Sequence, residues 1–293
     1  METTSCKNQS PVAFWTLNDY VDTWNLSATT SAANYDVDSI KHPDRNVKWR
    51  STTNAPQVIE GMNPSIFDVV DVDSFVFVNH NWGWSSDLYL ELLYNTTVLW
   101  DGNVFAKPHR LLPDATRAMI DELLLYQNRV FHIGRTISGV NKWRISTNAN
   151  SGEPYHEIGR IFVSKAFRPL TSWEKAPMYP DDKSIIKESY GLNKSVDIRP
   201  IARGIDFITK ALNNSDIPEM MRLIHVFGKR RPVFVDAVPE IPDKMFVSGE
   251  EALAYRNILW QLYGRLISTV ALEPGFGKNI ITMPGSMSFI EEG

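Results

Sequence analysis

The chain is broken into short apolar runs, rich in β-branched and aromatic residues and bounded by turn residues. That pattern constrains the fold more than any other feature. Residues 74–79 (SFVFVN) are too few for a packed helix and suit a buried, pleated surface. Residues 142–146 and 157–164 read as further strands. Residues 97–100 precede Asp101-Gly102, a hairpin signal that predicts a turn there. Residues 87–94 (DLYLELLY) are ambiguous by periodicity. One helix is predicted within this β texture. Pro113-Asp114 opens residues 115–128, with Met119, Leu123 and Leu124 on one face.

After Pro169 the pattern changes. Residues 184–189 and 195–199 read as strands about a turn at Gly191. A second helix is expected to begin with Ser215 as N-cap and Pro218 in its first turn, and to end at Gly228. Met220, Leu223, Ile224 and Phe227 form its apolar stripe. Residues 232–238 (PVFVDAV) suit a buried strand and residues 286–291 a closing one, whereas residues 250–263 fit helix or strand equally. The polar first 35 residues, broken by Phe14-Trp15 and by aromatics between Tyr20 and Trp24, read as an arm or edge strand. The expected organisation is an arm over 1–35, a β domain over 36–168 and an α+β part over 169–293.

Composition excludes several function classes. With 293 residues and 43% hydrophobic content the chain can build one large core or two ordinary ones. A net charge of -4, with no basic run longer than Lys229-Arg230-Arg231, gives no general affinity for nucleic acid or anionic membrane. The single cysteine, Cys6, rules out an intrachain disulfide framework and cysteine metal clusters. No run approaches the roughly 18 to 20 apolar residues of a membrane span. The opening METTSCKNQS lacks a secretory pattern, so the chain is expected to be made in a cytoplasm, where the sequons at Asn8, Asn25, Asn95, Asn193 and Asn213 carry no sugar.

Candidate chemistry is sparse. Asp44, Asp71 and Asp73 offer oxygens for a hard cation but lack loop spacing, so they read as turn carboxylates and no metal is expected. His80 and Asp87 lie near Ser85 and Ser86, yet no nucleophile elbow accompanies them; His80 reads as bonded within its own turn. Residues 275–278 (GFGK) lack the rest of a phosphate loop, and no cofactor is expected. Arg50, Arg144 and Arg160, in half-buried strands, need carboxylates, for which Asp44 and Asp71 are candidates. Trp82, Trp84 and Trp100 are the interesting cluster: aromatic faces for a sugar, or plugs for an interface or core. Trp49 and Trp143, each followed by Arg, are expected in the core.

Three segments together resemble a discoidin-like jelly roll: residues 44–51 (DRNVKWRS), residues 76–81 (VFVNHN), and residues 142–145 (KWRI) followed by 157–162 (EIGRIF). Their order, continued by residues 227–234, 260–266 and 288–292, is similar to that of phage tail proteins bearing such a domain. The resemblance covers residues 38–292. Pro43-Asp44 stands where discoidin modules usually carry Gly-Asp. The resemblance implies a structural, non-enzymatic component of a virion tail, tail tip or baseplate. Its partners would be copies of itself and other tail proteins in a symmetric ring. The alternatives are a carbohydrate-binding module recognising a host glycan on the same particle, and a head-tail connector or capsid-attached protein. A glycan hydrolase ranks last, because no paired carboxylates can be located.

Overall fold

The computed structural model describes residues 13–15, 20–82, 86–105, 128–150, 153–170, 176–181, 185–188, 194–197, 202–208, 213–227, 229–237, 261–268, 273–275, 280–282 and 286–291. The described chain is mainly β. It divides into two compact units, one of residues 15–167 with 238–261, the other of residues 1–14, 168–237 and 262–293.

Strand β1 (Ala13–Trp15) belongs to the sheet of the second unit. The first unit holds β2 (Asn25–Ala28), β3 (Trp49–Arg50), β4 (Val58–Met62), β5 (Val70–His80), β6 (Asp87–Tyr94), β7 (Thr97–Phe105), β8 (Asn128–Val140), β9 (Lys142–Thr147) and β10 (Glu157–Ser164). These make a five-stranded sheet, β2-β4-β9-β6-β7, and a four-stranded sheet, β3-β10-β5-β8. Every pairing is antiparallel. The chain passes from sheet to sheet between β4 and β10, and the two sheets enclose one core. This is an antiparallel β-sandwich of the jelly-roll kind.

The core contains Trp24, Trp49, Phe75, Phe77, Leu90, Leu92, Trp143 and Ile145, all 0 to 1% exposed. In β9 burial alternates along the strand, as one wet and one packed face demand. In β10 all eight residues are buried, because both faces are covered. Part of that cover is the segment from Tyr20 to Lys48. Its short 3-10 turns Val21–Thr23 and Val37–Lys41 pack on β10, with Val21 and Ile40 fully buried.

Two expectations are corrected here. Of the two readings of residues 20–35, the arm gives way to the edge strand: Val21 and Trp24 lie in the core, and β2 pairs with β4 at the edge of the five-stranded sheet. Apolar side chains among polar neighbours found a sheet edge to complete. The turn expected at Asp101-Gly102 is absent as well. The hairpin turns at Asn95-Thr96, with Asn95 at φ 55°, and β7 runs straight through Gly102, which pairs with Leu90. Gly102 serves close approach: a Cβ there would stand 3.0 Å from the Trp100 ring. The ambiguous residues 87–94 are strand β6. The helix expected over 115–128 lies outside the described residues except Asn128, which begins β8.

The second unit carries a six-stranded sheet in the order β1-β15-β16-β19-β14-β11. Its strands are β11 (Met178–Asp181), β14 (Ala202–Ile208), β15 (Val233–Asp236), β16 (Gln261–Leu266) and β19 (Ser286–Glu291), and hairpins β12 (Ile185–Glu188)–β13 (Lys194–Asp197) and β17 (Glu273–Gly275)–β18 (Ile280–Thr282) lie outside it. Phe207 packs edge-on against Phe289 at 5.9 Å, and Arg203 forks onto Glu291 at 2.9 and 2.7 Å. Helix α1 (Ile217–Arg222) buries Met220 and is followed by Leu223, also buried. The expected N-cap Ser215 is corrected. A 3-10 turn, Asn214–Asp216, precedes the helix, and Asn213 caps it by accepting from the Ser215 N–H. Gly228, the side chain of Phe227 and residues 250–260 lie outside the described residues.

Candidate functional site

The antiparallel registers bring the ends of β2, β5 and β9 and the starts of β4, β6 and β10 to one end of the sandwich. There the loops 29–36 and 51–57 and the stretches 148–150 and 153–156 meet the end of β5, and β3 crosses beside them by pairing with β10. In residues 48–50 the extended backbone alternates its side chains. Trp49 enters the core, fully buried, and its indole N–H reaches Thr30 O and Ser31 Oγ. Lys48 and Arg50 therefore face the other way.

Arg50 is held on every side but one. Its guanidinium carbon lies 4.1 Å from the centre of the Tyr35 ring and 4.2 Å from that of Tyr155, so the cation sits between two aromatic faces. Nε and Nη2 both donate to Glu157 Oε2, at 2.9 and 2.5 Å. Lys48 Nζ takes the other oxygen, Oε1, at 2.6 Å. Burial works against the Arg50 charge, but the Glu157 hydrogen bonds and charge outweigh it and hold the guanidinium above its ordinary pKa. Glu157 is almost enclosed, its side chain 9% exposed, while 28% of Arg50 and 22% of Lys48 reach solvent. Arg50 Nη1 and the hydroxyls of Tyr35 and Tyr155 have no hydrogen-bond partner among the described residues. The result is a rigid cation with donors to spare.

A polar scaffold holds this arrangement in place. Asn81 accepts the Glu157 N–H at 2.7 Å and donates to Tyr155 O at 3.0 Å. Asn150, fully buried, donates to Tyr155 O at 3.1 Å. His156, also fully buried, has both ring nitrogens engaged: Nδ1 accepts from the Trp82 indole at 3.2 Å, and Nε2 faces Asn54 O and Ala55 O at 3.1 and 2.9 Å. Two carbonyls require Nε2–H, and an N–H donor requires a bare Nδ1, so the ring is the neutral Nε2–H tautomer. Burial pushes its pKa down, against the pull of the Ala55 and Asn54 carbonyls. Behind the loops, Gly159 lets residues 43–48 lie directly on β10; a Cβ there would run into the Arg45 carbonyl oxygen.

The aromatic cluster read from sequence is not a surface. Trp82 is fully buried, edge-on to Phe77 at 5.3 Å. Trp100 is 8% exposed, between Phe75 and Phe131. Neither can stack on a ligand without opening the core, and Trp84 lies outside the described residues. Trp143, like Trp49, is fully buried.

The expected arginine partners are also corrected. Arg50 pairs with Glu157, Arg144 with Glu60 and Glu91, and Arg160 with Asp22, while Asp44 caps the Asn46 N–H and Asp71 lies 3.8 Å from Lys165. In each case the partner is a cross-strand or docked neighbour that register, not sequence position, brings alongside. Asp73 accepts from Ser74 Oγ and the Ala166 N–H. Among the described residues no group of three or more His, Cys, Asp or Glu side chains is placed for a metal ion. His80 Nδ1 accepts from the Trp82 N–H two residues on, as a turn histidine would, and the ring packs on that indole. The GFGK loop lies outside the described residues beyond Gly275. Among the described residues no helix is long and apolar enough to cross a membrane.

Tyr35 and Tyr155 were not singled out from sequence; Lys48 and Glu157 entered only as members of the segments that carry the resemblance, and Arg50 as such a member and as half of an ion pair. The alternation around Trp49 was the one local signal. Nothing local joins Tyr35 to Tyr155.

No family model matches the sequence, and no curated protein matches it. Three solved structures stand for those it resembles. A family 32 CBM of Clostridium perfringens NanJ, in complex with galactose, is 14% identical, with 52% of this chain and 98% of that chain covered and a TM-score of 0.36. CBM32-3 from a family 31 glycoside hydrolase of the same organism is 16% identical, covering 49% and 96%, with a TM-score of 0.34. A chitosan-binding module from a chitosanase/glucanase of Paenibacillus sp. IK-5 is 12% identical, covering 50% and 98%, with a TM-score of 0.36.

Proposed function

We propose that this chain is a non-catalytic carbohydrate-binding module whose ligand seats on the loop end of the sandwich, at Tyr35, Lys48, Arg50 and Tyr155. The observation that carries the reading is the clamped Arg50, a cation fixed between two rings with Nη1 unspent. Hydroxyl-bearing ligands are held by fixed, directional donors set among aromatic surfaces, and a donor fixed beforehand costs little to order on binding. Catalysis is a poor fit, because glycoside hydrolysis needs two carboxyl groups free to handle protons. Glu157, the carboxylate that Arg50 and Lys48 share, has both oxygens taken by cations.

A glycan array probed with the full chain, followed by NMR titration of any hit, tests the reading. The expected shifts fall on residues 30–36, 48–50 and 155–157. Binding to no glycan, or shifts confined to another surface, would sink it.

The assembly reading, a tail, tail-tip or baseplate component contacting its own copies and other tail proteins, rests on the order of motifs in the sequence. A glycan-binding module carried on a virion satisfies both readings. Immunogold labelling of purified particles tests that part: a chain absent from every particle removes the virion from the proposal.

A further inference from the structure

The chemistry of the same site selects among glycans, a selection that rests on the carbohydrate-binding reading. Each hydroxyl of a neutral sugar both donates and accepts, so a site built for it offers acceptors beside its donors. Among the described side chains of the Arg50 cluster, only the Tyr35 and Tyr155 hydroxyls can accept. Glu157 is almost enclosed and both its oxygens are occupied. What faces outward is donor-rich: Arg50 Nη1, the remaining N–H groups of Lys48 Nζ, and two tyrosine hydroxyls that can turn either way.

Charge points the same way. Lys48 and Arg50 share one carboxylate, so the cluster keeps one positive charge uncompensated in a protein of net charge -4. The guanidinium spends its Nε–Nη2 edge on Glu157 and keeps its Nη1 side free. A planar fork with a free edge matches a planar two-oxygen acceptor, with two parallel N–H···O bonds. The rings of Tyr35 and Tyr155 stand 4.1 and 4.2 Å from the guanidinium carbon, and the N–H bonds of Nη1, which lie in the guanidinium plane, direct an acceptor into that plane.

We infer that the site takes an acidic glycan, whose sugar carboxylate is held in the plane of Arg50 with Lys48 as the second cation. The group is recognised as an acceptor-only anion, which a neutral hexose cannot imitate.

The test is affinity measured on the full chain with matched probes: oligosaccharides bearing uronate or sialate, the same skeletons after carboxyl reduction, sulfated counterparts and neutral hexose oligomers. Carboxylated probes should bind, and carboxyl reduction should cost at least about tenfold, the scale of a charge-assisted hydrogen bond. Raising salt should weaken binding further. Arg50→Gln should abolish the preference. Arg50→Lys, which keeps a charge beside Glu157 and so protects the fold, should lose about tenfold because the fork is gone. Arg144→Gln, outside the site, should change nothing. Equal binding of reduced and carboxylated probes, or full affinity in Arg50→Lys, overturns the acidic assignment while leaving carbohydrate binding standing. Preference for sulfated over carboxylated probes overturns it too. Failure of every probe to bind removes the underlying reading as well.

Discussion

The two sheets of the sandwich share one core but meet the outside differently. The five-stranded sheet leaves its outer face half-exposed along β4 and β9, though Glu91 and Leu93 on β6 are enclosed. Across it runs a row of charges in register: Glu60 on β4, Arg144 on β9, and Glu91 and Asp101 on β6 and β7, with Lys142 closing on Glu60 at 2.9 Å. Lys142 and Arg144 outweigh the burial of Glu60 and hold its pKa below the usual carboxylate range. In the four-stranded sheet the central strands β10 and most of β5 are covered on both faces, and the charge that β10 carries is correspondingly enclosed. Arg160 is 7% exposed in its side chain, bound to Asp22, to Lys41 O and against the Phe162 ring. At its half-exposed members, Glu60, Lys142 and Arg144, the charge row is cheap to alter, whereas at the enclosed Glu91, as on a covered strand, a change in volume or charge is transmitted to what lies around it. The candidate site grows from the edge of the covered sheet, where β3 meets β10. Its geometry is therefore as stiff as that sheet.

That contrast can be broken most forcefully in the core itself. Trp24→Ala, Trp49→Ala and Trp143→Ala should each cost about 3–5 kcal/mol in denaturant unfolding, since each ring is enclosed. Trp24→Ala is the sharpest of the three. Wild-type stability for that variant would return residues 20–35 to the status of an arm.

Gly159→Ala comes next, at about 1–3 kcal/mol, because the atom that its Cβ meets is backbone and cannot swing aside. Ser146→Ala, on the open face, is the control and should stay near wild type. Equal losses in the two would mean that residues 43–48 do not seat on β10.

A pH titration separates the loop scaffold from both sheets. The folded state holds His156 neutral below its ordinary value of 6.5. As pH falls through that value the unfolded chain takes up a proton that the folded one refuses. Stability is then full above about pH 6.5 and is lost on acidification until the folded histidine itself titrates. The slope for one linked proton is at most about 1.4 kcal/mol per pH unit. Urea unfolding at stepped pH should show the loss, and His156→Gln should flatten it. An unchanged slope in that variant would assign the acid sensitivity to other groups.

The smallest effect belongs to the open face. Lys142→Gln leaves Glu60 with Arg144, so the cost should stay below about 1 kcal/mol and vanish in high salt. A larger, salt-independent loss would show that this face is covered as well.

Period-two patterning and β-branched composition were enough to mark β5, β9, β10, β15 and β19 in the sequence, because strand identity is a local property of which side chains fit a pleated, buried surface. The order of the Trp-Arg and Asn-His-Asn segments was enough to suggest the jelly roll. Turn chemistry misled at Asp101-Gly102, where glycine stands close against the Trp100 ring in a continuous strand and not at a reversal of the chain. Polarity misled over residues 20–35, because Val21 and Trp24 are few among polar neighbours yet complete the core. The site was beyond any local pattern. Tyr35, Arg50 and Tyr155 are far apart along the chain and become one object only when β3 pairs with β10 and the loops close over them. A strand can be read from its own residues. A clamp of three side chains on separate segments exists only once register fixes their distances.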